Sequence, residues 1–349
     1  MFTSLARFLP IYLILYCFIN VLDANNVCSS LHSENLPQFY QWEVVHPGDM
    51  ESGPGSLHLP VKRYNHGIAQ TEHGMYINNG YFYDHARKKA RYLQDLWFFS
   101  FERATWQRLS ISTGPQHRFQ HTISYYNNKL IVFGGDDGGF RVQAKSHVWG
   151  SYYNDLWIYD LKQETWSEVS PQPAEEGSKI MSSASLAQPL LPRTSHTTVI
   201  YQGIMFIFGG YTAAKPAVKN NKVNFLSDEL VKIDLETYTY THITPTPGPK
   251  PRARAGHTAV LVDGKMWVFG GYARETPTSR RSSLDDLWSY DIAQNLWTLH
   301  PPRAYSVPSL TTECEDITST IPDTCITDVP VPVPLPRGTH AAVASQVTT

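Results

Sequence analysis

Three stretches of the chain decide its reading: HTISYYNNKLIVFGG at residues 121–135, HTTVIYQGIMFIFGG at 196–210 and HTAVLVDGKMWVFGG at 257–271. Each holds two apolar runs rich in β-branched residues, separated by NNK, QG or DGK, which are hairpin signals. Each is preceded by an arginine three residues before its histidine: Arg118/His121, Arg193/His196 and Arg254/His257. A fourth copy begins at Arg63/His66, with Asn79-Gly80 in place of the di-glycine. From His to the first residue of that pair the offset is always thirteen positions. Self-similarity in one fixed register is the signature of a repeat architecture.

After an insertion of variable length, each copy resumes with an acid, a Leu and, in three of four cases, a Trp. These are Asp95-Leu96-Trp97, Asp155-Leu156-Trp157, Glu229-Leu230-Val231 and Asp286-Leu287-Trp288. A second pair of large residues follows, seven positions apart: Phe99/Trp106, Tyr159/Trp166, Ile233/Tyr240 and Tyr290/Trp297. Two strands before the insertion and two after it make four per repeat. The periodic acid is expected to bond between neighbouring repeats, and Arg and His to bond backbone groups at the start of the inner strand. A ring of imidazoles holding an axial ion is the alternative for the histidines.

This pattern resembles the kelch repeat. The resemblance implies an all-β propeller, each repeat forming one four-stranded blade around a central axis. Blades are expected at about 63–110, 118–170, 193–244 and 254–300, with a partial fifth at 337–349 opened by Arg337 and His340. FYQWEVVHPG around Trp42 reads as an outer strand, and the whole propeller is placed at 37–349, incomplete at its carboxyl end. The Arg-x-x-His opening, with the amino-terminal segment described next, looks most like the attractin and muskelin type of propeller. Glycine at the end of each second strand is expected to allow a positive φ or a close backbone approach.

Arg7 precedes a fifteen-residue apolar run, Phe8–Leu22, too short to span a bilayer comfortably and matched to a secretory h-region. Residues 1–24 are read as a signal peptide and 25–36 as a short linker, giving a secreted, extracellular or luminal protein. Leu22 fits the −3 cleavage position poorly, so membrane anchoring by residues 8–22 is the alternative. An oxidising compartment allows a disulfide between Cys314 and Cys325, while Cys28 has no evident partner. The lack of C-x-x-C gives a structural zinc site no support.

Charged residues make up 17% of the chain and the net charge is −2, so the molecule as a whole is no polyanion binder, and nucleic acid is not an expected partner. Neither G-x-S-x-G nor a phosphate-cradling glycine loop occurs. Asp136-Asp137-Gly138-Gly139 lacks the spaced ligands of a calcium loop and reads as a turn. No catalytic residue, metal or cofactor is assigned, and the chain is read as a non-enzymatic interaction module. The alternative is a secreted carbohydrate-active propeller enzyme, of oxidase or sugar-isomerase type. The cysteines after residue 24 lie outside the four complete repeats, which leaves a tyrosine–cysteine copper site without its cysteine.

All the long segments fall on one face of the expected propeller: 81–94, 136–154, 211–227 and 272–284 after second strands, with 171–192 and 301–336 between blades. Variable loops on a rigid scaffold are where binding residues usually sit. The four loops after second strands together carry +8. Their candidate binding residues are Arg87, Lys88, Lys89 and Arg91, then Lys215, Lys219 and Lys222, then Arg274, Arg280 and Arg281. Glu313, Glu315, Asp316, Asp323 and Asp328 partly offset them. The expected partner is a protein or an acidic glycan.

Overall fold

The computed structural model describes residues 59–109, 113–138, 152–174, 189–213, 224–275 and 279–301, together with the backbone of strands Ser306–Leu310 and Ile326–Pro330. Every regular element among them is a strand. Four antiparallel sheets run in sequence order from first strand to fourth. Blade 1 consists of Gly67–Gln70, Gly74–Asn78, Leu96–Ser100 and Thr105–Arg108. Blade 2 consists of Thr122–Tyr126, Lys129–Phe133, Leu156–Asp160 and Thr165–Val169. Blade 3 uses Thr197–Tyr201, Ile204–Phe208, Leu230–Asp234 and Thr239–Ile243. Blade 4 uses Thr258–Val262, Lys265–Phe269, Leu287–Asp291 and Leu296–His300. First strands of consecutive blades lie side by side, so they line the axis of a β-propeller.

Local chemistry sets the turns. Asn127 and Asn128, Gln202 and Gly203, and Asp263 and Gly264 all have positive φ, the signature of the primed two-residue turns that match strand twist. Between third and fourth strands, Asp160 and Asp234 each accept two backbone N–H bonds and Asp291 accepts one. Glu164, Tyr238 and Asn295 then close those turns at positive φ. This turn places Tyr159 directly opposite Trp166 and Tyr290 opposite Trp297, with ring centroids 5.0 and 5.2 Å apart. The seven-residue spacing in the sequence is therefore a cross-strand pair.

The core lies between blades. One layer joins Ala69, Leu96 and Ile123 to Leu130, Tyr159 and Trp166 across blades 1 and 2. A second joins Ile131 and Phe133 to Met205, Val231 and Tyr240 across blades 2 and 3. A third joins Phe206 and Phe208 to Met266, Trp288 and Trp297 across blades 3 and 4. No blade covers both of its own faces, so each depends on its neighbours.

Several long segments are more ordered than loops. Residues 81–94 contain a hairpin, Tyr81–Asp84 paired with Lys89–Tyr92. Tyr211–Ala213 pairs with both Asn224–Leu226 and Arg193–Thr194, and Tyr272–Ala273 pairs with Ser282–Ser283. In the segment after blade 2, Gln172–Pro173 adds a parallel strand to the outer edge of blade 3. In 301–336, Ser306–Leu310 pairs with Ile326–Pro330. The signal peptide, linker and Trp42 strand, the fifth repeat at 337–349, and Cys314 and Cys325 lie outside the described residues.

Candidate interaction surface

On the face that carries the long segments, each repeat builds the same charged knot. Arg63 donates to both oxygens of Asp95 at 2.6 and 2.9 Å, and to the Asn79 carbonyl at 3.0 Å. Arg118 does the same with Asp155 at 2.7 and 2.8 Å and with the Gly134 carbonyl at 2.9 Å. Arg254 holds Asp286 at 2.7 Å through both guanidinium nitrogens and the Gly270 carbonyl at 3.0 Å. The indoles of Trp97, Trp157 and Trp288 donate to the same carboxylates at 2.7–2.8 Å. Blade 3 varies the theme: Arg193 meets Glu229 at 3.0 Å, and Val231 stands where the others have Trp. The periodic acid was expected to bond between repeats. It instead closes its own repeat, because the insertion returns the chain to the Arg that opened it. Burial opposes ionisation of Asp286, but Arg254 and the Trp288 N–H outweigh it and hold the carboxyl below its ordinary value.

Backbone groups make the connections between blades. The N–H of Gly80, Gly135 and Gly210 donates to the carbonyl of the next repeat's arginine. Nearer the axis, Gln120 N–H donates to Asn65, Ser195 to Gln120 and Gly256 to Ser195. Those four residues all have positive φ between 52° and 62°. A Cβ at Gly134 would sit 2.8 Å from the Arg193 carbonyl oxygen, so the di-glycine supplies both expected properties, positive φ and close approach.

The histidines also bridge blades. His196 Nε2 lies 3.2 Å from the Thr122 hydroxyl, and His257 Nε2 2.8 Å from that of Thr197. Gly67 takes the place of that threonine against His121, whose two ring nitrogens have no hydrogen-bond partner. Burial, reinforced by the neighbouring arginine, pushes His66 down to about 4 and His121 and His196 well below the ordinary histidine value. His121 and His196 are neutral imidazoles turned towards the preceding blade. Among the described residues no group of three or more His, Cys, Asp or Glu is arranged to hold a metal ion.

At the mouth of the axis on this face stand the residues that follow the di-glycine: Tyr81, Asp136, Tyr211 and Tyr272. Each is paired on the backbone with the residue after the repeat's arginine: Tyr64, Phe119, Thr194 and Ala255. Tyr81 lies 5.8 Å from Tyr64, 5.8 Å from Tyr92 and 5.2 Å from Phe119. Tyr211 and Tyr272 are 5.8 Å apart, and burial pushes the Tyr272 phenol up to about 12. This aromatic mouth was not singled out from the sequence. Its signal is N-G-Y, G-G-D, G-G-Y and G-G-Y in register, seen only when the residue after each glycine pair is compared.

The basic residues expected on this face are distributed unevenly. Lys88, Lys89, Arg91 and Arg280 are exposed. Arg87 is exposed but paired with Asp84 at 2.8 Å, which cancels its charge locally. Arg274 is half-buried. Arg281 lays its guanidinium over Tyr272 and Tyr211 at 5.1 and 5.7 Å, a cation–π arrangement that leaves its edge free to donate. Lys215, Lys219 and Lys222 lie outside the described residues. The two described groups, around 87–91 and 280–281, sit on segments of blades 1 and 4.

Comparison with known proteins agrees with this geometry. The kelch-repeats domain described as KLHDC2/KLHL20/DRC7 matches residues 23–188 and 179–318. The chain is 26% identical over 181 residues to a Drosophila melanogaster protein named leucine-zipper-like transcriptional regulator 1 homolog, covering 52% of this chain and 15% of that protein. It is 20% identical over 263 residues to putative protein tag-53 of Caenorhabditis elegans, covering 74% and 17%. With host cell factor homolog hcf-1 of the same organism it shares 25% over 185 residues, covering 49% and 20%. The chain thus spans a fifth or less of the length of these relatives. The repeat register, the four blades and the domain match agree: the chain belongs to the kelch-repeat family.

Proposed function

We propose that this protein is a secreted or luminal, non-enzymatic interaction module that engages an acidic protein segment or acidic glycan through the long-segment face of its propeller. The observation that carries this reading is the contrast between two sets of cations. The repeat arginines Arg63, Arg118, Arg193 and Arg254 are buried and bound to an acid, whereas Lys88, Lys89, Arg91 and Arg280 are exposed on one face, beside a stacked Arg281. Cations held by no scaffold partner are available to an incoming ligand, and they steer one of opposite charge. The Arg-x-x-His opening and the apolar run at 8–22 support the finer assignment to a secretory propeller of the attractin and muskelin type.

The test uses protein secreted under its own first 24 residues and recovered from the medium. Heparin and a poly-glutamate peptide serve as immobilised acidic probes. Binding to at least one is expected to weaken steadily with salt. Reversal of Lys88, Lys89, Arg280 and Arg281 to Glu should abolish it while unfolding shifts by less than about 0.5 kcal/mol per site. Binding that ignores both salt and reversal would overturn the reading, as would failure to bind either probe.

A further inference from the structure

One corner of the mouth has the opposite electrostatic character to its rim. Three of the four residues that follow the glycine pairs are tyrosines, and the fourth is Asp136. Its backbone pairs with Phe119 in both directions, at 2.9 and 3.0 Å. Its Oδ1 accepts the Gly138 N–H at 2.8 Å. Gly138 is pressed on Tyr92 so closely that a Cβ there would lie 2.3 Å from the ring. The carboxylate is therefore fixed beside a continuous group of rings, in which Phe119 lies 5.2 Å from Tyr81 and 5.6 Å from Tyr92. Tyr64, half exposed, extends this group into solvent.

Among the described residues, Asp136 is set apart by having no cation paired with it. The acid of every repeat knot has its arginine, and Asp84 has Arg87. Asp136 forms no ion pair among the described residues, although it is partly buried. Burial raises its carboxyl above the ordinary value and adjacent Asp137 adds to the rise, against the single N–H of Gly138. A partly desolvated carboxylate walled by aromatic faces attracts a cation twice over, through charge and through the ring quadrupoles.

We propose that this corner is a subsite for an arginine or lysine side chain of a partner protein, with Tyr64, Tyr81, Tyr92 and Phe119 supplying ring surface and Asp136 the counter-charge. The proposal rests on the interaction-face reading above and refines it: the partner segment is acidic where it meets the rim and places one basic side chain at the mouth.

The experiment is a titration of the whole protein with Ac-Gly-Arg-Gly-NH2 and its lysine counterpart, followed by NMR of the tyrosine rings. Ac-Gly-citrulline-Gly-NH2 is the uncharged control. Arginine or lysine peptide should perturb Tyr81 and Tyr92 and bind about fivefold or more tightly than citrulline, the scale of a partly exposed cation–π contact. Asp136→Asn should bring the charged peptides to the citrulline level, and Tyr64→Leu, at a half-exposed site, should weaken them without loss of fold. Equal binding of arginine and citrulline, indifference to Asp136→Asn, or no perturbation of these rings would overturn the subsite. Rim reversal separates the two readings. If it abolishes capture of acidic probes while the peptides leave the rings untouched, the interaction face stands and the subsite falls. The reverse pattern keeps the subsite and removes the basic rim.

Discussion

Arg118, Arg193 and Arg254 are each fully buried, so their partners decide whether a charge can be tolerated there. Removing one side of a buried pair leaves an uncompensated ion, which costs about 3–5 kcal/mol. Asp155→Ala should therefore lower the stability of the protein by about that amount in urea unfolding. Replacing both partners, Arg118→Met with Asp155→Leu, should recover much of the loss, because the desolvation cost disappears with the charge. A double variant no more stable than the single one would show that the pair is held for its hydrogen bonds to Gly134 and Trp157 instead. Both members of the pair were visible in the sequence as periodic residues, but their pairing was not. They stand 32, 37, 36 and 32 residues apart in the four repeats, and the variable insertion hides a constant geometry.

At the scale of the element, hairpins were legible because their signals are local: turn dipeptides, alternating apolar runs and a fixed offset. The first strands carry a second message, the histidine bridge, which a sequence shows only as repetition. His66, His121 and His196 are neutral in the folded state, whereas the unfolded chain takes up protons near the ordinary value of 6.5. Below that pH the unfolded state binds more protons, so stability falls as pH falls; for His66 the loss continues down to about 4. Each such histidine contributes a slope approaching about 1.4 kcal/mol per pH unit. Melting followed from pH 7.5 to 5, above the carboxylate range, should show a steep loss of stability. Replacing His121 by Gln should make that slope shallower. A melting temperature flat across this range would mean that these imidazoles are charged or exposed in the native protein.

The molecule as a whole is a set of blades joined in two layers of different strength. Apolar side chains fill the layers between blades, and near the axis the backbone bonds of Gln120, Ser195 and Gly256 tie each blade to the one before it. The face proposed to meet a partner is made of two-to-four-residue strand pairs standing above this framework, such as Tyr81–Asp84 with Lys89–Tyr92. The long segments that open with Tyr81, Tyr211 and Tyr272 each begin after a second strand, as the sequence reading expected. That reading did not show the aromatic mouth, because tyrosine after glycine looks like ordinary core until three copies are set side by side around an axis. The two layers should separate in native-state hydrogen exchange. The N–H groups of Gln120, Ser195 and Gly256 can be freed only by parting blades, so they should exchange at the rate of global unfolding. The 81–92 hairpin, with exposed residues at its turn, can open alone and should exchange orders of magnitude faster. Destabilising the knot by Asp155→Ala should then accelerate the axial amides in proportion to the lost stability and leave the hairpin rate unchanged. If the hairpin slowed and sped with the axis, the long-segment face would be part of the cooperative core, not an adaptable surface carried on it.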